Sequence, residues 1–343
     1  MFVYWIILGV FSICVIGNCT NISARSKDIM YWVCAASLII LSAIRDFSVG
    51  PDTINYCNGF ENIRQVSFGK ALQFGWEQGY VAVNWLLGRF FEGSRALVVF
   101  MAMAILIPFF LWIKKESAWP ILSLIVFVCT GMWSSSMFIL RQWCAMATLT
   151  FSYRYIKKRE FIPFVVLVLI AALFHRTAVI FVLAYFICCI PLNRTTIIAA
   201  VPVSAMIGLL GGRILNVLNR FARITETGNF NGGISLLVVL WLCVFAILIC
   251  FNGCIPKQLD FYFRFVFLAA LLQPVAFTFS NWSRIIAYFS VSLSVLLPNS
   301  IVELTSFKTN NQSLRLPLGV AVCALMMIWF QMINIDPYIF MQI

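Results

Sequence analysis

The chain has 343 residues, 62% hydrophobic and 10% charged, with a mean hydropathy of +0.97 and a formal charge of +12. Soluble domains carry about 25% charged residues, so the composition excludes a soluble protein, and no polar stretch is long enough to hold a separate soluble domain. The apolar runs are long rather than alternating, which predicts an all-α integral membrane protein.

A membrane-crossing helix needs roughly 20 apolar residues. Taken in chain order, the candidates are 2–20, 29–44, 96–113, 119–137, 138–156, 195–211, 235–252, 262–279, 285–302 and 315–333. The apolar run 161–192 is about 45 Å long as one straight helix, too long for one crossing. His175-Arg176 interrupts it, so two short helices turning there are expected. The total is about twelve crossings in a single polytopic domain, 1–343, with no linker and no defensible repeat. The N-terminus has no basic region before its first apolar run, so no cleaved signal peptide is expected.

Between the second and third spans lies the polar segment 45–95. It opens with Arg45-Asp46-Phe47-Ser48-Val49-Gly50-Pro51-Asp52-Thr53, where Gly-Pro-Asp is strong turn chemistry. Residues 81–93, with Asn84 and Arg89, read as a weakly amphipathic helix lying on the membrane or dipping into it.

Orientation follows from the loops. Arg25/Lys27, Lys114/Lys115, Arg154/Lys157/Lys158/Arg159, Arg194, Lys257 and Lys308/Arg315 fall on one side if the spans alternate, and the positive-inside rule makes that side cytoplasmic. Both termini then face outward, as do loops 45–95 and 212–234, which carry the candidate site. Topology accounts for these cations without nucleic acid. It does not account for Arg45, Arg64, Arg89, Arg95, Arg141, Arg176, Arg213, Arg220, Arg223 and Arg284, which all fall outside. An anionic ligand there is the economical reading, since Arg suits bidentate binding of phosphate or carboxylate.

The twelve Cys show no framework and there is one His, so neither a disulfide nor a metal site is expected. Arg141 opens a span and is either a snorkelling cation or an anion ligand in a wet cavity. His175 and Arg176 sit at the break between apolar helices, where a neutral imidazole suits a general base or a sugar hydroxyl. Arg284 opens another span with Tyr288 one turn below; the alternative is an aromatic-belt anchor. Asp52 and Glu77 are outer acids that serve either as general bases or as partners positioning an Arg. The segment with Arg213, Arg220 and Arg223 reads as an outer amphipathic helix, covering an anionic lipid head group or simply meeting bilayer phosphates. No phosphate-binding Gly-rich loop and no acidic pair for a metal-held nucleotide-sugar occurs, so no cofactor is expected.

The series Arg45…Val49-Gly50…Asp52-Thr53…Tyr56, Glu77…Gly79-Tyr80, Arg141, Ala172-Leu173-Phe174-His175…Ala178, Arg284…Tyr288 and Pro337-Tyr338 resembles the EpsG family of membrane polysaccharide polymerases, related in role to the Wzy O-antigen polymerases. The chain has Gly-Pro-Asp where members commonly show Gly-Thr-Asp. The resemblance implies a GT-C-like polymerase in a bacterial inner membrane, with its active site toward the periplasm. It would transfer a glycan from undecaprenyl diphosphate to a sugar hydroxyl of another lipid-linked repeat unit, making O-antigen, capsule or exopolysaccharide without a metal. Arg45, Arg141 and Arg284 would hold the diphosphate; His175, Glu77 or Asp52 would serve the acceptor; Thr53, Tyr56, Arg176 and Tyr288 would support them. Its partners would be the lipid-linked oligosaccharide, membrane lipid and a chain-length regulator. A flippase for lipid-linked oligosaccharide, or another polyprenyl-linked glycosyl or acyl transferase, is the competing expectation.

Overall fold

A computed structural model describes residues 1–19, 22–222, 233–279, 282–308, 311–333 and 337–341, with the side chains of 214–222 and 307–308 left aside. It is all-helical, with no strand among the described residues. Six helices are long and apolar enough to cross a membrane: Ala24–Ile44, Ser94–Glu116, Arg194–Arg213, Lys257–Phe277, Trp282–Ser306 and Gln312–Met332. A seventh arises if Pro120–Cys129 and Met132–Phe138, bent by 61° at their junction, count as one span. Four shorter apolar helices, Phe2–Asn18, Phe161–Ala172, Arg176–Ile187 and Ile234–Cys250, add to these. Hydropathy suggested more full spans because a window average passes over helix breaks. The run 119–137 bends where Gly131 takes a left-handed conformation, φ 74°, and 138–156 divides into Leu140–Thr150 and Tyr153–Lys157.

The chain forms two compact units, Met1–Val179 with Asn311–Ile343, and Ile180–Asn310. In the first, the helices in order are α1 (Phe2–Asn18), α2 (Ala24–Ile44), α3 (Thr53–Arg64), α4 (Phe68–Ala71), α5 (Gln78–Phe90), α6 (Ser94–Glu116), α7 (Pro120–Cys129), α8 (Met132–Phe138), α9 (Leu140–Thr150), α10 (Tyr153–Lys157) and α11 (Phe161–Ala172). Helix α6 is the hub: α2 packs along one side and α9 along another, and α9 in turn carries α11. Phe109, Phe127 and Trp143 interlock there, with ring centroids 5.1–5.8 Å apart. The outward face of α2 stays apolar through Ile29, Val33 and Ile40, as a lipid-facing surface requires.

Segment 45–95 is helical rather than a loop. Helices α3 to α5 enclose their own small core of Ile63, Ala71 and Val81, flanked by Val66, Leu72, Phe74, Trp76 and Trp85. The opening turn depends on Gly50: its φ is +84°, and an added Cβ would lie 2.3 Å from Phe138 Cβ.

The last four carbonyls of a helix lack intrahelical partners, and in apolar surroundings each must find one. At the end of α2 all four do. Leu41 accepts from the Tyr338 hydroxyl at 2.6 Å and Ile44 from the Met341 N–H at 3.1 Å. Ser42 accepts from Arg45 Nη1, and Ala43 from Arg95 Nη1 at 3.2 Å. The C-terminal tail thus closes α2, with Asp46 donating back to Ile339 at 2.9 Å.

In the second unit, Phe181, Phe265 and Phe289 pack together, and Ser204 on the helix Arg194–Ala222 donates to the Ala270 carbonyl at 3.2 Å. That helix runs continuously through residue 212, so no separate amphipathic helix begins there.

Candidate functional site

The chemistry-bearing residues of the first unit meet where three elements converge: the N-terminus of α5, the first turn of α9 and the end of α11. Glu77 is the N-cap residue of α5, yet its carboxylate does not cap its own helix. The Leu173 carbonyl beyond α11 does so instead, accepting from Gly79 N at 2.9 Å and Tyr80 N at 3.4 Å. Glu77 is thereby released to face across the junction. Its Oε1 accepts from the Arg176 backbone N–H at 3.3 Å, at the start of the 3-10 helix Arg176–Val182.

Arg141 enters from α9, which restarts after a break at Ile139 (φ −101°, ψ 51°). Its Nη1 donates to Glu77 Oε2 at 2.6 Å, and its Nε to the Tyr56 hydroxyl at 3.4 Å. The guanidinium also lies 5.7 Å from the Trp76 ring centroid. Trp76 in turn packs with Tyr56 and Tyr80, at 5.4 and 5.6 Å. His175 Nδ1 stands 3.2 Å from Glu77 Oε1. Its N–H is not aligned as a straight hydrogen bond, and catalytic hydrogen bonds often tighten only when substrate is bound. The Arg176 side chain is 79% exposed, with its Nε 3.9 Å from the same carboxylate oxygen.

One carboxylate, 9% exposed, therefore faces two guanidiniums and the only imidazole of the chain. Burial pushes the Glu77 carboxyl up, but the His175 contact and the Arg141 charge outweigh it and hold the group at about 2. Such a carboxylate is ionised at any working pH and is a weak base. The depressed value also stabilises the fold: that contribution is whole above the ordinary carboxyl range near ~4.3 and is lost as pH falls through about 2. Between those values the melting temperature of purified protein should drop more steeply for the wild type than for Glu77→Gln. Parallel curves in differential scanning fluorimetry would contradict this.

The other candidates make no direct ion pair or hydrogen bond with Glu77, Arg141 or His175 among the described residues of the first unit. Arg45 is 1% exposed, and its guanidinium is spent on the carbonyls of Ser42 and Met137. It caps carbonyls at the end of α2 and of α8. Arg95 does the same work, Arg64 pairs with Glu61 at 2.5 Å, and Arg89 lies over the Trp85 ring at 4.9 Å. Arg45, Arg64, Arg89 and Arg95 thus each have a structural partner. Asp52 precedes α3 half-buried, with no ion pair among the described residues. Thr53 is buried and donates to the Val49 carbonyl at 2.6 Å. Arg284 and Tyr288 belong to the second unit, the first exposed and the second buried. Arg213 is exposed; the side chains of Arg220 and Arg223 lie outside the described residues. Sequence reasoning missed Trp76, although its place beside Glu77 was a signal. Among the described residues, no three His, Cys, Asp or Glu side chains gather as a metal site.

The EpsG family profile matches residues 28–342. The chain belongs to the EpsG family. It is thus a polysaccharide polymerase-like membrane protein. The match takes in every residue of the Glu77–Arg141–His175 cluster of this EpsG protein. No curated protein and no solved structure matches the chain.

Proposed function

We propose that this chain is a polysaccharide polymerase, which moves a glycan from undecaprenyl diphosphate to a sugar hydroxyl of another lipid-linked repeat unit at the outer face of a bacterial inner membrane. The observation that carries this reading is the convergence of Arg141, Arg176 and His175 on the Glu77 carboxylate. Glu77, too weak a base to deprotonate a hydroxyl, faces Nδ1 of His175 and leaves Nε2 toward the acceptor. His175 takes the acceptor proton as the new glycosidic bond forms. The bond from the sugar to the diphosphate breaks, and the leaving group carries away its electron pair. Arg141 and Arg176 stabilise the charge that gathers on the diphosphate, as planar guanidiniums suit phosphate oxygens. Because that leaving group is already activated, the reaction draws on no metal. Asp52 is the alternative base.

In this reading the bent pair and the shorter apolar helices join the six long ones in the bilayer, approaching the about twelve crossings of a GT-C-like polymerase. The test is deletion in the native host, followed by gel analysis of surface glycan. A lost ladder with single repeat units still attached to lipid is expected. Loss of all surface repeats, with lipid-linked units held inside the cell, would identify a flippase instead.

A further inference from the structure

We infer that Gly79 is a positioning residue for the Glu77–His175 pair, because only glycine lets the N-terminus of α5 dock on the Leu173 carbonyl. Nothing about its own backbone demands glycine, since its φ lies outside the left-handed region. The demand comes from across the junction. A Cβ built on residue 79 would stand 2.8 Å from the Leu173 carbonyl oxygen, 2.8 Å from Leu173 Cβ and 3.1 Å from its carbonyl carbon. Side-chain Cβ atoms do not approach backbone that closely, and a carbonyl held at a helix end has no rotamer through which to retreat.

The contact is reciprocal. The Leu173 oxygen satisfies two orphan N–H groups of α5, from Gly79 and Tyr80, while Glu77 Oε1 satisfies the N–H of Arg176. Gly79 lies two positions after Glu77, and His175 lies two positions after Leu173. The junction therefore sets the 3.2 Å between Glu77 Oε1 and His175 Nδ1. A methyl at 79 wedges the two elements apart and moves Glu77 and His175 in opposite directions. A misplacement near 1 Å lowers a rate by about 10²-fold.

The inference rests on the polymerase reading only in taking His175 as the base, and its first measurement is independent of that. With one His in 343 residues, protein labelled with 15N-histidine and placed in lipid nanodiscs gives the imidazole nitrogens of His175 alone. We expect Gly79→Ala to shift these resonances away from wild type and toward those of Glu77→Gln, with polymer formation down about 10²-fold. Gly69→Ala is the control: a Cβ there meets nothing within 4 Å, and wild-type resonances and activity are expected. If Gly79→Ala does not accumulate, Gly79→Ala with Leu173→Gly removes one of the clashing atoms and leaves the carbonyl, so displaced resonances are still expected. Wild-type resonances in whichever of these variants is measured overturn the inference. Displaced resonances with full polymer formation leave Gly79 as a positioning residue and overturn His175 as the base.

Discussion

His175→Asn is expected to lower polymer formation by about 10²–10⁴-fold, the range for loss of a general base, with normal amounts of protein in the membrane. Asparagine is the informative replacement. Its side-chain amide sits where Nδ1 does, so it keeps a donor toward Glu77 while removing the atom assigned to the acceptor hydroxyl. The fold should tolerate it, because the imidazole side chain is 22% exposed and its close side-chain partner among the described residues is Glu77. Arg141→Lys should lose polymer by about 10²–10³-fold, the range for removal of one preorganised donor. Lysine keeps the charge but cannot span the Tyr56 hydroxyl and the Glu77 carboxylate together, which Arg141 reaches at 3.4 and 2.6 Å. The readout is chain extension from lipid-linked repeat units in isolated membranes, normalised to protein amount. A His175→Asn rate within a few-fold of wild type would end the assignment of His175 as base. If Asp52→Asn collapsed in the same assay, the role would pass to Asp52.

The membrane class was legible from composition alone, and the break in the run 161–192 from a single polar pair, because burying two adjacent polar residues in lipid leaves few alternatives to a turn. The cluster was legible as residue types but not as a cluster. Glu77, Arg141 and His175 are far apart in sequence, and their meeting depends on α9 packing against α11 and on a backbone junction between Gly79 and Leu173. Neither has a local signature. The same limit explains the reading of Arg45. The sequence shows a cation directly after an apolar helix, in a segment that the positive-inside rule reads as external, and an anionic ligand is a reasonable inference from that reading. What it cannot show is that Tyr338 and Met341, at the other end of the chain, fold back to share the capping of α2. That capping gives Arg45 and Arg95 a structural role of their own. Segment 45–95 reads as a loop in the sequence because its small apolar core, spread over Ile63, Ala71 and Val81, is too sparse to stand out beside the membrane spans.

Arg45→Met separates the capping role from a diphosphate role. Methionine matches the length of the aliphatic stem but leaves the Ser42 and Met137 carbonyls without their donors. Each buried carbonyl left unsatisfied costs about 1–3 kcal/mol. Against this stands the relief of burying a cation: desolvation pulls the Arg45 guanidinium down to about 10, so it stays charged at neutral pH and bears a burial penalty that the variant escapes. Two lost caps outweigh one relieved penalty here, because both carbonyls lie at or near helix C-termini, where negative dipole ends concentrate. A net loss on the order of 2 kcal/mol is expected, seen as a lower melting temperature in detergent and less protein in the membrane. Arg45→Lys should fall between, since one ammonium on a flexible stem does not reach both carbonyls as a fork does. Tyr338→Phe, which uncaps Leu41 alone, should cost about 1 kcal/mol. In all three, polymer formed per folded molecule should stay within a few-fold of wild type. A diphosphate ligand would show the reverse, with stability kept and the rate per molecule down by about 10²-fold or more, and that result in Arg45→Lys would return Arg45 to the site.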